Sequence, residues 1–150
     1  MFNPSREQAR RFLINAWRTY RQAGPLTSLE QMAVEVIAAH PEYQRYFDGD
    51  DRYLDRDWTP EAGETNPYLH VSLHLAVDEQ LSIDQPRGIR AVHDALVERY
   101  GGDVHRARHD IAEALAETIW RAQRDRSPPD VEHYLALAKR HLTGAARGKG

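Results

Sequence analysis

Asn66-Pro67-Tyr68-Leu69-His70-Val71-Ser72-Leu73-His74-Leu75-Ala76-Val77-Asp78-Glu79-Gln80-Leu81-Ser82 is the stretch that decides the fold. Asn66 is a good helix cap, and Pro67 stands at the first helical position, where a missing N–H costs nothing. From there, a step of about 100° per residue places Leu73, Val77 and Leu81 on one arc. His70 and His74, at i and i+4, fall within that arc one turn apart. Only the sector of Ser72, Glu79 and Ala76 reads as wet. The stretch therefore predicts a helix over about 66–82 that turns two imidazoles inward. A buried polar group without a partner costs about 1–3 kcal/mol. A metal ion, a carboxylate or a backbone carbonyl on a facing helix would each satisfy them.

Outward from this helix the same period holds almost throughout. Toward the N-terminus lies an acidic, turn-rich connector over 48–65, with Asp48, Asp50, Asp51, Asp55, Asp57 and Glu64. Tyr53, Leu54 and Trp58 are expected to pin it to the body. Before it, Asn3-Pro4 opens a helix running to about Ala23, with Phe12, Leu13, Ala16, Trp17 and Tyr20 as its apolar stripe. Gly24-Pro25 ends that helix. Thr27 or Ser28 caps the next, with Glu30 or Gln31 as the capping-box partner, and Met32, Val34, Val36 and Ile37 carry its buried side. Pro41 stops it near His40, and 42–47 read as a short helical turn.

Toward the C-terminus, Pro86 sits near the start of a helix that reaches Tyr100. Gly101-Gly102 breaks the chain, Asp103 caps a long helix to about Arg124, and Pro128-Pro129-Asp130 opens the last, ending near Leu142. No segment reads as a strand. The expectation is an all-α, single-domain bundle of about six helices over 1–142, with the long acidic loop at 48–65. The basic stretch 143–150 is expected to be a flexible tail.

The long helix carries a second pair, His105 and His109, flanking a buried stripe of Val104, Ile111, Leu115, Ile119 and Ala122. Composition supplies roughly 0.4 such HxxxH pairs by chance, so two are more than it accounts for. Each helix reads His-x-x-x-His-x-x-x-acid, with Asp78 after one pair and Glu113 and Glu117 after the other. If the faces meet, a transition metal could be held by His70, His74, His105 and His109, with Asp78, Glu113 and Glu117 as possible additional ligands. Nitrogen and oxygen donors of this kind suit zinc, iron, manganese or nickel. No glutamate lies inside either pair, so the zinc-protease HExxH is not present. The competing reading is a set of inter-helix hydrogen bonds beside ordinary surface carboxylates. His40, His93, His133 and His141 are scattered and read as helix-end or surface residues.

Composition narrows the classes further. A chain of 150 residues with 41% hydrophobic and 29% charged residues is globular and long enough to bury a core. A net charge of -3 provides no electrostatic footprint for nucleic acid or an anionic membrane. The arginines Arg10, Arg11, Arg18 and Arg21 of the first helix read as a mixed-charge solvated face. There is no cysteine, which excludes thiolate ligation and cysteine nucleophiles. No apolar run approaches a membrane span and no signal-type stretch opens the chain, so the expected location is cytoplasmic. Trp17, Trp58 and Trp120 are expected as core or anchors.

Several long motifs resemble an uncharacterised, mainly proteobacterial family known only as a domain of unknown function. They are Met1 to Arg6, His40-Pro41-Glu42-Tyr43, Asn66-Pro67-Tyr68-Leu69-His70 through His74, Glu79 to Pro86 with Gly88-Ile89-Arg90, and Trp120 to Arg124. The resemblance covers about 1–142 and implies a stand-alone bacterial protein. It brings no activity, cofactor or ligand set. Within it, Glu79, Gln80, Asp84 and Arg90 read as a capped helix junction, with the rim of a pocket as the alternative. Three functions stay open: a metal-binding protein, which could be a metal-dependent enzyme; a non-catalytic protein-interaction module; and a homodimeric bundle whose histidines are structural. The residues name no reaction and no protein partner.

Overall fold

The computed structural model describes residues 6–48, 53, 54, 56, 58 and 66–143. The protein is all-α, as the periodicity requires, and no strand occurs among the described residues. Among the described residues six α-helices follow in order: α1 (Arg6–Arg21), α2 (Ser28–Ala38), α3 (Pro67–Ile83), α4 (Ile89–Arg99), α5 (Val104–Asp125) and α6 (Val131–Thr143). A 3-10 helix, Pro41–Tyr46, follows α2. None of the described helices is long and apolar enough to cross a membrane. The expected Asn3-Pro4 start, most of the acidic connector and the tail from 144 lie outside the described residues. Within the chain the packing defines two compact units, 1–75 and 76–150.

In the first unit, α1 packs on α2. The inward face of α1 is Arg10, Leu13, Ile14, Ala16 and Trp17. Tyr20, expected on that stripe, is 49% exposed, and Ile14 takes the buried position. The buried stripe follows the 10-13-14-17 row. Against this face lie Ala33, Val34, Val36 and Ile37 of α2, then Phe47, Leu54, Tyr68, Val71 and Leu75.

Thr27 is the cap of α2, resolving the choice between Thr27 and Ser28. Glu30 N–H donates to Thr27 Oγ1 at 3.2 Å, and Thr27 N–H donates to Glu30 Oε1 at 2.8 Å. This reciprocal pair satisfies two otherwise orphaned donors. Thr27→Ala is expected to cost about 1 kcal/mol, or roughly 2–4 °C in Tm at this chain length. A thermal melt showing no loss would contradict this.

Arg10 corrects the reading of α1 as wholly solvated on its charged side. Its side chain is buried, and Nη1 donates to the carbonyls of Tyr53, Leu54 and Arg56 at 3.0, 3.0 and 2.8 Å. The guanidinium also lies over the rings of Trp58 and Tyr68, at 5.2 and 4.8 Å from their centroids. Arg11 and Arg21 do keep to the surface, paired with Glu7 and Asp48.

The second unit is built from the C-terminal half of α3 with α4, α5 and α6. Val77, Leu81, Ile89, Val92, Leu96, Ile111, Leu115, Tyr134 and Leu137 form its interior. Tyr134 is anchored by its hydroxyl, which donates to Gln80 Oε1 at 2.6 Å. Its burial raises the phenol pKa, keeping it a donor. The junction between α3 and α4 is a capped turn. Asp84 sits at φ 53° and accepts from the N–H groups of Gly88 and Arg90 at 3.2 and 3.0 Å. Arg90 in turn donates to the carbonyls of Leu81 and Ser82, closing the end of α3. Asp103 caps α5 as expected, accepting from Arg106 N–H at 3.0 Å.

Candidate metal centre

α2 cannot continue past Ala39 because Pro41 excludes the α region for the residue before it. His40 accordingly takes φ -125° and ψ 69°. Its backbone N–H donates to Ile37 O at 3.0 Å. Its ring turns back along the helix, and Nδ1–H donates to Val36 O at 2.7 Å. Val36 O, which already accepts from Ala39 N–H at 3.2 Å, thus takes a second donor in the last turn of α2. A carbonyl can only accept, so Nδ1 carries a proton. His40 is 5% exposed.

The start of α3 supplies the other two imidazoles. Asn66 Oδ1 accepts from Leu69 N–H at 3.1 Å, and Pro67 follows at the first helical position. The next residue, Tyr68, fastens α3 to the 3-10 helix, its hydroxyl donating to Tyr46 O at 2.6 Å. Burial, offset in part by the Arg10 charge, pushes the Tyr68 phenol up to about 12. This places His70 and His74 beside the residue that ends α2. His74 is buried and His70 half-buried.

The three rings form one cluster. Their centroids are 4.8 Å apart for His40 and His70, 5.1 Å for His40 and His74, and 4.8 Å for His70 and His74. His40 Nε2 and His70 Nε2 are 3.2 Å apart. One ring nitrogen from each histidine lies within 4.8 Å of the other two. Metal–nitrogen bonds of about 2.0–2.1 Å in tetrahedral geometry require nitrogens about 3.3 Å apart. One pair already has that separation. Tyr43 walls the cluster, stacked on His40 at 5.7 Å and set edgewise to His70 at 5.4 Å. Burial first, then the charges of Glu42 and Tyr46, push its phenol pKa up, so it stays protonated.

The other sequence candidates lie in the second unit. His105 is exposed near the start of α5. His109 Nδ1 is 3.7 Å from Glu113 Oε2, and these two with Asp110 make a second, more exposed group. Asp110 also accepts from the Tyr100 hydroxyl and faces His141 Nδ1 at 3.5 Å. Burial, followed by the hydrogen bond to Asp110, raises the Tyr100 phenol pKa. Asp78 is ion-paired with Arg108 at 3.3 Å. Glu117 pairs with Arg121 at 2.7 Å, a hydrogen bond that lowers its carboxyl pKa.

The pair His70 and His74 was found by spacing; its partner His40 was not. Nothing periodic links His40 to α3, 30 residues away. The available signal was its place in His40-Pro41-Glu42-Tyr43, a motif that also contains the ring stacked upon it. No curated protein and no solved structure matches the chain. Residues 5–140, which include every helix that builds this cluster, match the family described as Domain of unknown function (DUF1841), and the chain belongs to that family.

Proposed function

We propose that this protein binds one divalent transition-metal ion through His40, His70 and His74. The observation that carries the reading is the convergence of three imidazoles from two separated chain segments, one of them already oriented by a backbone carbonyl. A carbonyl accepting from the non-ligating nitrogen is the usual device for fixing the tautomer of a metal-ligating histidine. Imidazole donors suit zinc, iron and nickel. Against a nucleic-acid role stand the burial of Arg10 and the pairing of Arg11 and Arg21 with acidic neighbours. The competing reading, a hydrogen-bonded histidine cluster, rests on the same 3.2 Å contact between His40 and His70.

Metal analysis of tag-free protein is expected to find about one equivalent, with a rise in Tm on adding the metal to chelator-treated protein. Less than a tenth of an equivalent, with no thermal shift, would remove the proposal. Ligating imidazoles must be neutral, so protons compete with the ion. Bound metal is therefore expected to be lost as the pH is lowered.

A further inference from the structure

We infer that the second unit carries a separate site for one divalent metal ion of the manganese(II) type, held by the imidazole of His109 and the carboxylates of Asp110 and Glu113. This site does not depend on the histidine cluster of the first unit. The first argument is convergence. His109 and Glu113 stand one helical turn apart on α5, and Asp110 follows His109 directly. One ligand atom from each of the three lies within 4.8 Å of the other two. His109 Nδ1 and Glu113 Oε2 are 3.7 Å apart.

The second argument is that Asp110 is held from outside the group. Its side chain is 13% exposed and lies 3.5 Å from His141 Nδ1 of α6. It also accepts from the hydroxyl of Tyr100, the residue that ends α4. Burial and this bond raise the Tyr100 phenol pKa, so the hydroxyl stays a donor. An ionised carboxylate has about four acceptor positions, and the Tyr100 bond takes one of them. Hydrogen bonds of this kind orient carboxylates that ligate metals.

The third argument is the donor set. Two carboxylates balance the charge of a divalent ion, and oxygen donors suit manganese, whereas imidazole alone suits zinc, iron and nickel. The side chains of His109 and Glu113 are 42% and 62% exposed, so an ion reaches them from solvent. Charges in contact with water attract each other less than those in an interior. This site is therefore the weaker of the two, and a single equivalent of metal reports on the first unit.

The test is manganese(II) titrated into the full chain carrying His70→Ala, which disables the cluster of the first unit, with the free ion followed by electron paramagnetic resonance. One saturable equivalent is expected. Adding Glu113→Gln, at an exposed position, should weaken binding about 10-fold or more, since groups that only orient a ligand are already worth about 10–100-fold. Asp110→Asn should do the same. No saturable manganese binding would overturn the inference, as would binding that keeps its strength in either variant. His109 and Glu113 would then be an ordinary surface ion pair. Zinc analysis of the wild type decides the three-histidine reading separately.

Discussion

Replacing His70 by alanine, or His40 by glutamine, is expected to weaken divalent-metal binding by about 100-fold or more. Groups that merely orient a ligand are worth about 10–100-fold in affinity, so a direct donor should cost at least the upper end of that range. A 100-fold loss corresponds to about 2.7 kcal/mol. Metal present at 100 times its Kd stabilises the wild type by the same amount, about 2.7 kcal/mol, or roughly 5–11 °C in Tm at this length. At that metal concentration the variants should lose most of the shift. His40 also caps the last turn of α2 through Val36 O, so its substitution touches the fold as well as the site. His70 is half-buried, and its removal tests the ion more cleanly. Melts in chelator separate the two effects, since a structural loss persists without metal. His109→Ala serves as the control and is expected to bind as the wild type does. Binding lost with His109 and kept with His40 would move the ion to the group in the second unit.

The helices could be read from the sequence because their ends are written in local chemistry. Asn66 with Pro67, Thr27 with Glu30, and Asp103 each satisfy donors within a few residues, and such caps do not depend on tertiary structure. The cluster was only half readable for the converse reason. His70 and His74 share a face by helix geometry alone, whereas His40 joins them through packing. A histidine just past a helix end is ordinarily a solvated cap, and here Pro41 and the 3-10 helix fold it inward. The pair His105 and His109 shows how little the spacing says by itself. It has the same i, i+4 geometry, yet His105 is exposed while His74 is buried. What separates them is coverage by neighbouring elements, which no window of sequence records.

Arg10→Met is expected to lower stability by about 3 kcal/mol, or roughly 6–12 °C in Tm. Hydrogen bonds made by a charged group contribute about 1.5–3 kcal/mol each. The three carbonyls on Nη1 share one nitrogen and are not additive, which holds the total near the value of one or two of them. The methionine stem retains the aliphatic packing, so the change isolates the guanidinium. Its loss deprives Tyr53, Leu54 and Arg56 of their common donor and leaves Trp58 and Tyr68 without the cation over their rings. Arg10→Lys should recover less than half of the loss, because an ammonium is a compact point charge without the planar fork that reaches several carbonyls at once. The arginine was misread on the sequence because its acceptors are backbone carbonyls of an aperiodic segment, invisible to any count of opposite charges. Its effect should extend to the proposed metal site by one route. Tyr68 lies under the guanidinium and precedes His70 by two residues, and its hydroxyl bond to Tyr46 O ties α3 to the 3-10 helix. Arg10→Met is therefore expected to weaken metal binding by a few-fold, well short of the loss from His70→Ala. A Tm within about 1 °C of the wild type would show that solvent replaces the guanidinium at no cost and that Arg10 does not hold this segment.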